Sequence, residues 1–194
     1  MGPGGGHDNE GGVCQLSGVS QQVVGHPIRK MFLGYGDDAI RRTLELMASI
    51  IKTSSVNYYV RRWAEKIIQG VPERDDIGRV QVLSNYIRGN SRYVRDPQGT
   101  EFIKTPLVSL QLFEVGEIPS LDCDDYSVLS LSLLKSIGFP VALRATSYRS
   151  DGKFRHVYGL VRVKGQWLPL DLCRDYGIGW EADGSTKNMD YEIG

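Results

Sequence analysis

The chain has 194 residues, 23 Lys plus Arg against 23 Asp plus Glu, 41% hydrophobic residues and three cysteines. That is one soluble globular domain, since a chain of this size buries roughly 70% of its unfolded surface. No apolar run reaches the ~18 to 20 residues of a membrane span, and balanced charge argues against a general nucleic-acid binder, so neither a membrane nor a nucleic-acid partner is expected.

Residues 1–36 are glycine-rich with few large apolar side chains, and are expected to form a flexible arm. The start, Met1 to Gly6, lacks the basic and apolar segments of a secretory signal, which points to a cytoplasmic chain. Cys14, His7 and His26 fall in this arm and receive no role.

From Asp37 the pattern becomes helical. Asp37 or Asp38 can cap a helix with Ile40, Leu44, Met47 and Ile51 on one stripe. A second helix starts near Asn57, carries Val60, Trp63, Ala64 and Ile67, and stops at Gly70 and Pro72. A third starts at Asp75 or Asp76, with Ile77, Val80, Leu83 or Ser84, and Ile87 facing inward until Gly89-Asn90. A short fourth takes Thr105 as cap, Pro106 in its first turn, and Leu107, Leu110 and Phe113 as its buried side.

Asp122 to Ile137 is apolar much of the way round, with Tyr126, Leu129, Leu133 and Ile137 on one stripe and Gly138 and Pro140 closing it. Such a helix is central and buried. Three strand-like runs follow, at 141–149, 154–163 and 166–173, separated by Asp151-Gly152 and Lys164-Gly165. Both dipeptides suit two-residue hairpin turns, which gives an antiparallel meander. A tail is expected over 181–194, leaving 37–180 as the domain.

Register then decides which side chains meet. With Lys164-Gly165 as the loop, Val163 faces Gln166, Tyr158 lies opposite Asp171 and His156 opposite Cys173, so His156 and Asp171 are diagonal neighbours on one face. A bulge at Pro169, which cannot donate to a ladder, would flip Asp171 away; an edge position would tolerate it. The same rule at Asp151-Gly152 sets Ser147 beside His156 and Ala145 beside Tyr158.

Cys123 falls in the first turn of the buried helix, where unpaired amides and the helix dipole stabilise a thiolate. Asp122, Asp124 and Asp125 oppose that by like charge, so an adjacent His156 is needed. Nucleophile, base and orienting acid on a helix and two strands are the logic of a thiol triad, Cys123, His156 and Asp171. The Cys123 amide would supply one oxyanion donor, and Gln98, Gln111 and Tyr93 are candidates for the second. Cys123, His156, Asp171 and Cys173 are also donor types acceptable to zinc, but no paired-cysteine spacing accompanies them, so no metal is expected. Cys173 could instead pair with Cys123 in a regulatory disulfide or simply pack. Asp124 and Asp125 are read as first-turn acids favoured by the helix dipole rather than calcium ligands.

At Asp122-Cys123-Asp124-Asp125-Tyr126, Arg155-His156-Val157 and Trp167-Leu168-Pro169-Leu170-Asp171 the sequence resembles the transglutaminase-like superfamily, and the first run is most similar to the bacterial transglutaminase-like cysteine proteinases. The resemblance covers roughly residues 80–175, including the stretch from Ile87 to Asp96 with Tyr93, and departs where Leu121 stands in place of the family's usual glycine. It implies an α+β, papain-like fold: N-terminal helices, then a central buried helix carrying the Cys, packed on an antiparallel β-meander. It also implies a cysteine hydrolase of peptide or amide bonds that needs no cofactor and acts on a protein or peptide substrate. Acyl transfer to an amine, as in a protein-glutamine transglutaminase, uses the same triad. A third reading keeps the fold as a non-catalytic assembly module, for instance in a phage particle, with a partner chain ordering residues 1–36 and a virion-associated location.

Overall fold

In a computed structural model of the chain, the residues described are 28–31, 36–96 and 101–194. Strand β1 (Ile28–Met31) precedes three helices: α1 (Asp37–Ser55), α2 (Tyr58–Ile67) and α3 (Asp76–Gly89). Asn57 caps α2 by accepting Tyr59 N–H at 2.9 Å, and Asp75 caps α3 by accepting Gly78 N–H at 2.9 Å. The expected stripes of α1 and α2 are buried, apart from a half-buried Ile40. On α3, Ile77 is exposed, because the first turn overhangs the core that Val80, Leu83 and Ile87 enter.

Next come β2 (Arg92–Tyr93), β3 (Glu101–Lys104), α4 (Pro106–Glu114), β4 (Ser120–Leu121) and α5 (Cys123–Ser136). The chain then forms β5 (Val141–Ser147), β6 (His156–Val163), β7 (Gln166–Leu170) and β8 (Lys187–Ile193). The last four make one antiparallel sheet in the order β7-β6-β5-β8. The fold is therefore α+β, with N-terminal helices and a central helix laid on an antiparallel sheet.

Helix α5 is buried almost all round, which its serines make possible. Ser127, Ser130 and Ser136 bond back to the helix carbonyls of Cys123, Ser127 and Leu133, so these hydroxyls enter the core satisfied. Against it, β6 offers Gly159, where a Cβ would lie 2.7 Å from Leu131 Cδ2. Leu131 is fully buried, so its methyl would have to shift within a filled core. Gly159→Ala is expected to lower stability by about 1–3 kcal/mol, the range for overpacking a filled core. An unchanged urea midpoint would refute that packing.

The β6–β7 register is the expected one, from Val163 opposite Gln166 to Gly159 opposite Leu170. Lys164 and Gly165 both have positive φ, 50° and 84°, as a type I′ turn requires. Pro169 sits on an edge strand opposite Leu160, without a bulge.

The β5–β6 register differs from expectation by one residue: Thr146, not Ser147, lies opposite His156, and Arg144, not Ala145, opposite Tyr158. The connection is not a two-residue turn but spans residues 148–155. Asp151 accepts Lys153 N–H at 3.1 Å and pairs with Arg155 at 2.5 Å, and Arg155 N–H reaches Thr146 O at 3.1 Å. A side-chain-closed loop has replaced the hairpin.

Two expected peripheral segments carry strands. Ile28–Met31, within the stretch expected to be a flexible arm, pairs antiparallel with β3. In 181–194, expected to be a tail, β8 extends the main sheet beyond β5. Its alternation explains this: Lys187, Met189, Tyr191 and Ile193 turn inward while Asn188, Asp190 and Glu192 stay exposed. No helix among the described residues is long and apolar enough to cross a membrane.

Candidate active site

Asp122 closes the start of α5 as its N-cap, its carboxylate accepting Asp125 N–H at 3.4 Å. Cys123, half-buried, is the first helical residue. One turn on, Ser127 Oγ donates to Cys123 O at 2.6 Å and lies 3.4 Å from Val157 O. The first turn of α5 is thereby set against the start of β6, beside His156.

His156 opens β6, in the alternating set with Tyr158, whose ring lies 5.6 Å from the imidazole. Val157, Gly159 and Val161 form the other set, turned toward α5. The imidazole thus stands at the end of the sheet, in the set turned away from α5. Asp171 follows the last residue of β7, and its Oδ2 is 2.7 Å from His156 Nε2. The diagonal relation that the hairpin register implies is present. Because Nε2 is engaged by the carboxylate, Nδ1 is the ring nitrogen left to exchange a proton with a thiol.

Asp171 is doubly held. Its Oδ1 accepts Cys173 N–H at 3.0 Å, an Asx-type turn that fixes both side chains on one side of the chain. Burial alone would raise its pKa, but the His156 hydrogen bond and charge, with the Cys173 N–H, keep it below the ordinary carboxylate range. Burial pushes the Cys173 thiol far up, and the charges of Asp171, Cys123 and Asp122 add to this, so Cys173 stays protonated near neutral pH. His156, Asp171 and Cys173 place their donor atoms within 4.8 Å of one another.

Tyr93 on β2 borders the same place. Its ring stacks on Tyr126 of α5 at 6.4 Å and 9° between planes, and its hydroxyl pKa is raised by burial and by the charges of Cys123 and Cys173. Gln111 is exposed on α4, and Gln98, Cys14, His7 and His26 lie outside the described residues. Leu121 is fully buried and paired with Tyr93 in the parallel β2–β4 ladder. A large side chain is therefore accommodated two residues before Cys123.

The acidic first turn is not a solvated one. Asp125 is buried against β3, where it takes Lys104 N–H at 2.7 Å and Lys104 Nζ at 2.6 Å. Sequence reasoning missed this anchor, whose signal is only an acid in an otherwise apolar helix. Of the tryptophans, Trp63 is core, Trp167 packs beside Tyr158 and Leu160, and Trp180 stacks on Tyr176 at 3.8 Å.

Helix-borne Cys123, strand-borne His156 and then Asp171 follow one another in that order on an α+β scaffold. No family model matches the chain, and no curated protein does. Among solved structures, it is similar to a candidate cysteine protease from Cytophaga hutchinsonii at 14% identity and a TM-score of 0.44, covering 75% of this chain and 46% of that one. It is similar to a candidate protease from Parabacteroides distasonis at 14% identity and a TM-score of 0.48, covering 64% and 25%. A third is a TGase, at 15% identity and a TM-score of 0.37, covering 78% and 36%. The chain spans less than half the length of each.

Proposed function

We propose that the protein is a cysteine hydrolase of peptide or amide bonds acting on a protein or peptide substrate. The observation that carries this reading is the 2.7 Å bond between His156 Nε2 and Asp171 Oδ2 beside the first turn of the helix that Cys123 opens. His156 Nδ1 takes the proton of the Cys123 thiol, and the thiolate attacks the substrate carbonyl carbon. The imidazolium then protonates the leaving amine, and a thioester remains on Cys123. Water, deprotonated by the same nitrogen, hydrolyses the thioester and regenerates the thiol. Asp171 holds the ring in the tautomer with its proton on Nε2.

The Cys123 amide, at the positive end of α5, supplies one oxyanion donor, and Tyr93 is the proposed second. Tyr93→Phe is expected to lower kcat about 10²-fold with KM little changed, the size of losing one such donor. An unchanged kcat would remove Tyr93 from the mechanism.

Iodoacetamide labelling across pH tests the thiol itself, in wild type, Cys123→Ala and His156→Ala. The expected result is rapid alkylation of Cys123 at neutral pH that slows when His156 is removed. Reactivity no greater than that of an ordinary exposed thiol, and indifferent to His156, would overturn the reading.

A further inference from the structure

A nucleophile, base and orienting acid account for Cys123, His156 and Asp171, but leave Cys173 without a task. Its sulfur is nonetheless held in the donor cluster with His156 and Asp171, all within 4.8 Å of one another. The Asx-type turn between Asp171 Oδ1 and Cys173 N–H keeps two of the three donors in place before any ligand arrives. Cys173 is half-buried against the main core, so its sulfur is positioned by packing.

One imidazole nitrogen, one carboxylate oxygen and one thiolate make a borderline-soft donor set that suits zinc and disfavours magnesium or calcium. Tetrahedral zinc, at about 2.0–2.3 Å from each donor, holds its ligand atoms about 3.3–3.8 Å apart. The 2.7 Å His156–Asp171 contact would open slightly and Cys173 would close in, both within side-chain adjustment.

We propose that His156 Nε2, Asp171 and Cys173 Sγ form a reversible zinc site that switches the thiol site off, with water in the fourth position. On binding, the zinc–sulfur bond replaces the S–H bond of Cys173 and one proton leaves to solvent. The zinc–nitrogen bond replaces the Nε2–H bond, and the neutral ring carries its proton on Nδ1 instead. Nδ1 is the nitrogen that takes the Cys123 proton, so the metal-bound ring has no basic nitrogen to offer. Inhibition therefore rests on the reading of His156 as general base, whereas zinc binding does not.

The test uses the full chain with Cys14→Ser as background. Zinc affinity is measured by competition with a chromophoric chelator, and cobalt(II) is added separately to read thiolate ligation from its charge-transfer absorption. The expected result is one equivalent of zinc, a one-thiolate cobalt spectrum, and affinity unchanged in Cys123→Ala. In Cys173→Ala affinity should fall at least about tenfold, since loss of even an outer-shell partner costs about 10- to 100-fold. Absence of the cobalt–thiolate band in the unsubstituted site, which needs no variant to fold, overturns the proposal. Zinc affinity indifferent to Cys173, or dependent on Cys123, overturns it too. The ratio of Cys123 alkylation rates without and with zinc should exceed about tenfold in the parent and approach one in Cys173→Ala. Zinc bound with this pattern by a protein whose Cys123 is inert would uphold the metal site and refute the hydrolase. A hydrolase with no zinc affinity would do the reverse.

Discussion

Asp171→Asn should lower turnover by about 10⁴-fold and leave the protein folded. The magnitude is that of losing the correct tautomer in a triad of this logic. The tautomer is set by a feature of this site: Asp171 uses its two oxygens differently. Oδ1 accepts Cys173 N–H, and only an oxygen can continue to do so. The asparagine amide must therefore keep its oxygen there and turn its NH₂ toward His156 Nε2, where Oδ2 now lies at 2.7 Å. A donor facing Nε2 selects the ring with its proton on Nδ1, which under the proposed mechanism can no longer accept the proton of Cys123. Folding should survive, because the Asx-type turn is retained. A peptidase or amidase assay with paired thermal unfolding checks both halves. Turnover within tenfold of wild type in a folded Asp171→Asn variant would show that the carboxylate does not orient the base.

The constellation behind that prediction was legible because a local rule controls it. Lys164-Gly165 imposes a type I′ turn, the turn fixes the β6–β7 register, and the register sets His156 diagonal to Asp171. The Asp151-Gly152 dipeptide looked equivalent but is governed by tertiary contacts. Thr186 bonds Ser147 O through its N–H at 2.8 Å and Arg149 O through its hydroxyl at 2.9 Å. The end of β5 is thus held by the segment leading into β8, and the loop after it is closed by the Asp151–Arg155 pair. The Asp151–Arg155 pair is local to the loop, but nothing adjacent in sequence announces the Thr186 contacts. Strand β8 itself was hidden by composition, since Asn188, Asp190 and Glu192 have poor strand propensity and Lys187 is an unusual inward residue. Its alternation is regular all the same, and Arg144 on β5 binds Asp190 through two nitrogens at 2.7 and 2.6 Å. The Lys104–Asp125 anchor was beyond reach for a different reason: the strand carrying Lys104 is only four residues long and pairs with β1 from the glycine-rich segment.

That anchor carries the largest expected effect on stability. Lys104→Met should destabilise the protein by about 3 kcal/mol at neutral pH, the lower part of the range for breaking a buried ion pair, because Lys104 retains some exposure. The cost arises on the other side: Asp125, almost wholly buried, loses the counter-charge of Lys104 and keeps the Lys104 backbone N–H. Burial already pushes Asp125 up to about 6 in the intact pair, against the pull of Lys104, while the less buried Lys104 is itself raised by the carboxylate. A carboxyl raised from 3.8 to about 6 favours the protonated fold. Its contribution is complete below the unfolded value and is lost as pH rises through about 6. Without Lys104 the folded value climbs further, so the loss continues to higher pH than in wild type. The deficit of Lys104→Met should consequently be small at pH 4, where Asp125 is protonated with or without its partner, and largest above about pH 7. Urea unfolding at pH 4, 6 and 8 reads this directly, with Asp125→Asn as the variant in which the pH dependence of the deficit disappears. A deficit equal at pH 4 and pH 8 would mean that Lys104 acts through packing and not charge. Asp125 lies two residues beyond Cys123, so an ion pair that fixes β3 against the first turn of α5 also fixes the thiol. Alkylation of Cys123 should then lose its dependence on His156 in Lys104→Met before the protein unfolds, which separates misplacement of the nucleophile from global loss of structure.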